Sequence, residues 1–205
     1  RAVEMINAAE KPLLLVGQGV KLSGGERAMI ALAEKGGIPM AETLMGISAV
    51  PNAHPLFVGN LGMHGNLAAN EMTQQSDLIV AVGMRFSDRV TGDIKSYAPH
   101  ARIIHIDIDP AELNKNIPVA LAVHADAKEA LEAMRPGIRD SMNSATVPMV
   151  PASIKSTLKS MAWGASVSGT IPLTRKIPAL TAATQGRYLG NTIINMYVRA
   201  NKTSA

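Results

Sequence analysis

Apolar residues follow two rhythms in this chain. Short unbroken runs sit in "KPLLLVGQG" (11–19), "IPMAET" (38–43), "DLIVAVG" (77–83), "ARIIHIDID" (101–109) and "VALAVHAD" (119–126). Each is too short for a helix and ends in glycine, threonine or acid, which predicts a buried strand. Between the runs, apolar positions recur at helical spacing. Met29, Ile30, Leu32 and Ala33 mark a helix over 23–37 that Gly36-Gly37 would end. Further helices are predicted over 66–76 and 127–134, and Pro110 opens a short one over 110–116. The chain starts at Arg1 in what reads as the inside of a helix, the expectation for a piece of a longer protein.

Strands alternating with helices predict an α/β fold with a doubly wound parallel sheet, Rossmann-like in outline. In such sheets ligands lie beyond the carboxyl ends of the strands, near the point where strand order reverses. The unusual residues gather at those ends: Gly17-Gln18-Gly19, Thr43-Leu44-Met45, Gly83-Met84-Arg85, Asp107 with Asp109, and Asp126. Ordinary strand-to-helix turns would account for the glycines alone. They account less well for an arginine and three aspartates on the same rim.

Composition narrows the chemistry. The chain has 205 residues, 47% of them hydrophobic but only 3% aromatic, so aliphatic side chains and 12 methionines fill the core. It has no cysteine, which excludes disulfides, thiolate metal sites and a cysteine nucleophile. That suits a reducing compartment, and a cytoplasmic location is expected. No apolar run reaches the length of a membrane span.

The net charge of +4 averages two unlike parts. Residues 1–134 carry 11 Lys/Arg against 15 Asp/Glu, and residues 135–205 carry 9 against the single Asp140. A boundary is therefore expected near Arg135-Pro136-Gly137. Beyond it, residues 135–205 form an atypical C-terminal tail, basic and rich in Ser, Thr and Pro, with no strand or helix period. A disordered extension or a shifted reading frame accounts for that composition better than a nucleic-acid arm. No nucleic acid and no membrane is expected as a partner.

Gly17-x-Gly19 stands where two glycines let backbone amides approach a phosphate, but Leu22 occupies the third position of a dinucleotide fingerprint. Arg85 could clamp a pyrophosphate or carboxylate, or pair with Asp88 or Asp107. Asp107 is placed to accept from ribose or adenine, while Asp109 and Asp126 read better as helix caps. In "FVGNLGMHGN" (57–66) glycines at 59, 62 and 65 suggest a phosphate loop interrupted by Met63-His64. His64 has no catalytic partner linked to it in sequence. His54, His100, His105 and His124 lack metal-ligand spacing, so no metal site is expected.

Taken together, "LVGQGV", "ETLMGISAVP", "HPLFVGNLGMHGN", "SDLIVAVGMRFSDRVTGD" and "IIHIDIDPAELNKN" resemble the central domain of the acetolactate synthase (acetohydroxyacid synthase) large catalytic subunit. The resemblance runs nearly continuously from residue 1 to about 134 and then stops. It implies a central FAD-binding domain of the DHS-like NAD/FAD-binding type over 1–134, and leaves 135–205 unassigned. The parent enzyme would use thiamine diphosphate and Mg²⁺, both held by other domains. It would join the hydroxyethyl group derived from pyruvate to a second 2-ketoacid, a step toward branched-chain amino acids, with no net redox at the flavin.

Carried over by position, the FAD contacts would be Gly17, Gln18 and Gly19, then Thr43, Leu44 and Met45. Leu61, Gly62, Met63 and His64 would follow, then Gly83, Arg85, Asp88 and Val90. Asp107 and Ile108 would lie at the adenosine end, with Asp126 and Ala127 completing the set. Met63 and Arg89 resemble residues that reach toward the substrate. Gln18 interrupts what is often a triple glycine in the family, and Ala125-Asp126 stands where Gly-Asp is common. No catalytic residue is expected in this piece, so it should be inactive alone. The parent is expected to be a homo-oligomer with a possible regulatory subunit. The competing reading is a stand-alone nucleotide-binding or regulatory module without catalysis.

Overall fold

The computed structural model describes residues 1–140; residues 141–205, most of the predicted extension, lie outside the described residues. Six strands form one sheet in the order β3-β2-β1-β4-β5-β6, and every neighbouring pair is parallel. They are β1 (Pro12–Val16), β2 (Met40–Glu42), β3 (Phe57–Asn60), β4 (Leu78–Val82), β5 (Arg102–Asp107) and β6 (Leu121–His124). The helices are α1 (Ala2–Ala8), α2 (Gln18–Leu22), α3 (Glu26–Gly36), α4 (Leu67–Gln75), α5 (Asp88–Thr91) and α6 (Ala127–Met134). Strand order reverses between β1 and β4, the two most central strands, so this is the doubly wound α/β sheet that the alternation predicts.

The unbroken apolar runs follow from burial on both faces. Leu14, Val16, Val80, Val82, Ile104 and Ile106 point to one face, under Met29 and Leu32 of α3 and Leu131 and Met134 of α6. Leu13, Leu15, Ile79, Ala81 and Ile103 point to the other, under Ala69 of α4 and the aromatic pair Phe86 and Tyr97. Leu13 through Val16 have no exposed surface at all. Burying each large side chain contributes roughly 1.5–3 kcal/mol, so this alternation fixes the register of the central strands.

Three local differences from the sequence expectation have physical causes. Phe57–Asn60, read as the start of a glycine loop, is an edge strand. Gly59 lies within it at a register shift against β2, with the Asn66 side chain packed where a Cβ would stand. The predicted helix over 110–116 shrinks to one 3-10 turn, Pro110–Glu112, because Leu113 is already extended. Two short helices, α2 and α5, carry too few residues to show an apolar period.

Candidate functional site

All six strands end on one rim, and the glycines at the reversal point bring its centre together. Gly17 follows β1 and Gly83 follows β4. Gly17 N–H donates to Val82 O and Gly19 N–H to Gly83 O, both at 2.9 Å. A Cβ on Gly17 would collide with the Gly83 carbonyl oxygen, and one on Gly19 would lie 2.6 Å from Gly83 Cα. Gly83 itself has φ +59, a left-handed conformation that favours glycine. The result is bare backbone at the switch point, with α2 starting at the exposed Gln18.

Beyond β2, the chain wraps around a buried carboxylate. Glu42 is 1% exposed, and its Oε1 accepts from Val50 N–H at 2.6 Å. Burial pushes its carboxyl upward, against the backbone N–H groups of Val50, Ser48 and Ala49 and the charge of Lys21. Lys21 Nζ donates to Ile47 O at 2.9 Å, tying α2 to the same loop. Thr43 is spent locally, accepting from Gly46 N–H. Leu44 and Met45 are left pointing outward, 67% and 59% exposed.

Beyond β3, Leu61 turns its side chain into the core, so its backbone alone faces the rim. Met63 and His64 are exposed. Met63 N–H donates to Arg89 O at 2.8 Å, and Arg89 Nη1 lies 3.8 Å from Met63 Sδ. The two positions expected on the substrate side are therefore neighbours, although 26 residues separate them. Arg89 Nε is also 3.7 Å from the exposed Asp88 carboxylate. Val90 is half-buried against the second core cluster.

Arg85 is exposed and pairs with neither Asp88 nor Asp107; its side chain has no hydrogen bond or ion pair among the described residues, while its carbonyl accepts from Ser87 N–H. The residues around it are fixed. His105, 1% exposed, makes a 2.8 Å hydrogen bond from Nε2 to Met84 O and stacks edge-on against Phe86. Because a carbonyl only accepts, Nε2 carries the hydrogen in this contact. Asp107 Oδ1 accepts from Asp109 N–H, with Oδ2 3.8 Å from His105 Nε2. Ile108 next to it is 64% exposed. Asp109 caps the Pro110–Glu112 turn through Ala111 N–H, and Asp126 caps α6 through Lys128 and Glu129 N–H. Ala127 is buried in the core.

Among the described residues the rim thus offers a Cβ-free glycine turn that is buried at Gly17 and half-buried at Gly19 and Gly83, the unpaired Arg85 guanidinium, and a row of exposed apolar side chains: Leu44, Met45, Met63 and Ile108. Such a surface can take an anion at its centre and flat apolar groups on either side. Among the described residues there is no cluster of His, Asp and Glu able to hold a metal ion. Sequence reasoning missed Glu42, Asn70 and His105. Asn70 of α4 bonds both backbone groups of Gly62, at 2.8 and 3.1 Å. The signal for Glu42 and His105 was present, since each is a polar residue inside an otherwise apolar strand.

Comparison with known proteins identifies the family of this fold. The family described as "Thiamine pyrophosphate enzyme, central domain" matches residues 1–134. The "Probable acetolactate synthase large subunit" of Methanocaldococcus jannaschii is 48% identical over 131 residues, covering 64% of this chain and 22% of that protein. The acetolactate synthase large subunit of Haemophilus influenzae is 42% identical over 132 residues, 64% of this chain and 23% of that protein. The isozyme 2 large subunit of Escherichia coli is 42% identical over 143 residues, 70% and 25% respectively. The chain spans less than a third of the length of these curated relatives. With well over half of its residues inside the family match and the fold that goes with it, the chain belongs to the thiamine pyrophosphate enzymes, as their central domain.

Proposed function

We propose that residues 1–134 are the FAD-binding central domain of an acetolactate synthase large subunit. In this reading the parent enzyme uses thiamine diphosphate and Mg²⁺, held by its other domains, to join a pyruvate-derived hydroxyethyl group to a second 2-ketoacid. A homo-oligomer, a regulatory subunit and a cytoplasmic location belong to the same reading, which leaves residues 135–205 unassigned.

One observation carries the cofactor assignment: the unpaired Arg85 stands just past Gly83, whose backbone leaves no room for a Cβ on Gly17 or Gly19. These residues fit a dinucleotide diphosphate, with the guanidinium as its charged partner and the Cβ-free Gly17–Gly19 turn, whose Gly17 and Gly19 amides are already bonded to the β4 end, allowing a close approach. Leu44, Met45 and Met63 supply apolar surface for an isoalloxazine ring, and Asp107 with Ile108 receives the adenosine end. FAD would bring a broad flat ring to the substrate side of the rim, where Met63 and Arg89 meet. None of this chain's residues handles the thiamine step, so the chain alone is expected to turn over no pyruvate.

Titrating the purified chain into FAD tests the assignment, with flavin fluorescence as the signal and ADP and NAD as competitors. Saturable quenching that NAD does not reverse is expected. Equal affinity for ADP and FAD would instead favour a stand-alone nucleotide module, and steady turnover of pyruvate would overturn the inactivity of the chain.

A further inference from the structure

The turn Leu61–Gly65 leaves the sheet at its edge, and its backbone cannot continue the ladder. Leu61 N–H still bonds Glu42 O at 2.9 Å, the last link to β2. At the next residue a side chain takes over from the sheet. Asn70 Oδ1 accepts from Gly62 N–H at 2.8 Å, and Asn70 Nδ2 donates to Gly62 O at 3.1 Å. A carboxamide carries a donor and an acceptor side by side, so it can copy the edge of a neighbouring strand. Asn70 stands in the first turn of α4, where side chains lean back toward the helix start and so toward this turn.

What Gly62 holds in place is the Met63–Arg89 corner. Gly62 has φ +98, and a Cβ there would lie 2.7 Å from Arg89 O. That same oxygen accepts from Met63 N–H at 2.8 Å, and Arg89 Nη1 rests 3.8 Å from Met63 Sδ. A shift of Gly62 therefore moves Met63 and the start of α5 together. By contrast, neither exposed side chain has another anchor among the described residues: Met63 is 43% exposed, and Arg89 pairs there otherwise with the exposed Asp88.

We propose that Asn70 is a positioning residue that sets the spacing of Met63 and Arg89 by gripping both backbone groups of Gly62. This rests on the reading above, in which Met63 and Arg89 meet on the substrate side of the rim. Asn70 touches no substrate; it acts through Gly62.

The test uses the full 205-residue chain and does not depend on flavin. Amide hydrogen exchange in the parent should protect Gly62 relative to His64, whose N–H has no partner among the described residues. Gly62 exchanging as fast as His64 would overturn the proposal before any variant is made. Asn70→Asp keeps the acceptor for Gly62 N–H but sets a carboxylate oxygen against Gly62 O; Asn70→Leu removes both bonds. Asn70→Leu should speed exchange at Gly62 and Met63 about tenfold or more, the scale of a lost hydrogen bond or two, and Asn70→Asp, which repels Gly62 O, should speed it at Met63.

The Met63 methyl resonance in ¹³C-methyl-methionine spectra, assigned by Met63→Leu, supplies the readout that a merely structural role would not move. In the parent, Arg89→Lys should shift that resonance. In either Asn70 variant the shift should vanish while the melting transition stays cooperative. A shift of full size in the Asn70 variants overturns the proposal. Should the parent fail to bind FAD, the flavin assignment falls while the exchange and methyl results still decide the role of Asn70.

Discussion

The Glu42 carboxylate accepts the Val50 N–H at 2.6 Å from a position that is 1% exposed, closing an eight-residue loop around a buried acid. The backbone donors at 48–50 and Lys21 favour its charged form, yet burial outweighs them and raises its carboxyl above the ordinary glutamate value. The sign of the pH effect follows. Between the unfolded and folded values the native chain holds more proton than the unfolded one, so stability falls as pH rises through that interval. The contribution is complete below the unfolded value. Replacing Glu42 by Gln removes this titration. Urea midpoints measured from pH 4 to pH 8 should therefore show the variant gaining on the parent as pH rises. A constant difference, or one that moves the other way, would contradict the burial argument.

The glycines of the first β–α turn separate two kinds of constraint. A Cβ on Gly19 would lie 2.6 Å from the Gly83 Cα, a backbone atom that can yield only if β1 and β4 part at their ends. Gly24, at φ +64, has nothing within 4 Å of its Cβ position, so alanine there meets conformational strain alone. Gly24→Ala should cost about 1 kcal/mol. Gly19→Ala should cost more, about 1–3 kcal/mol, with the loss of packing at the reversal point. Chemical denaturation of the two variants checks the ranking, and equal costs would mean that the contact of Gly19 with Gly83 is not tight.

Much of this was legible in the chain. Leu13–Val16 and Leu78–Val82 are unbroken apolar runs because both faces of the central strands are covered, and such runs announce a parallel sheet. The positions at the strand ends were legible for the same reason, since parallel strands deliver all their carboxyl ends to one rim. The edge was harder. Phe57–Asn60 contains Gly59 at a register shift, and a glycine in four residues hides a strand from any period of two. The partners of the site were harder still. That Arg85 stays unpaired while Arg89 reaches Met63 depends on the short helix α5, whose four residues are set by tertiary contacts. Asn70 looked like one more polar residue on a helix, because a side chain that bonds backbone eight residues away leaves no mark in the pattern.

His105 offers a check on how the floor beneath Arg85 is held. Its ring is 1% exposed, bonds Met84 O through Nε2 at 2.8 Å, and packs at 5.1 Å against Phe86. Leucine at 105 would keep the volume but orphan the Met84 carbonyl, a loss of about 1–3 kcal/mol for a buried acceptor. Asn, which can still donate, should restore less packing but part of the bond. If His105→Leu is as stable as the parent in urea, the Met84 carbonyl finds another donor and the histidine does not fix this segment.

Arg85 separates binding from folding. Its side chain is exposed and makes no bond among the described residues, so Arg85→Ala should leave the denaturation midpoint within the small range of surface substitutions, about 0.5 kcal/mol. The cofactor reading gives the same variant a large effect elsewhere. Hydrogen bonds from a charged donor contribute about 1.5–3 kcal/mol each, so losing the guanidinium should weaken FAD binding by roughly 10- to 150-fold. Lys at 85 keeps the charge without the planar fork and should fall between the two. Flavin fluorescence titrations, paired with urea curves on the same samples, measure both quantities. Unchanged FAD affinity in Arg85→Ala would move the diphosphate away from the β4 end. A destabilised variant would mean that Arg85 supports the fold, and the rim would then lack its one unpaired cation beside Gly83.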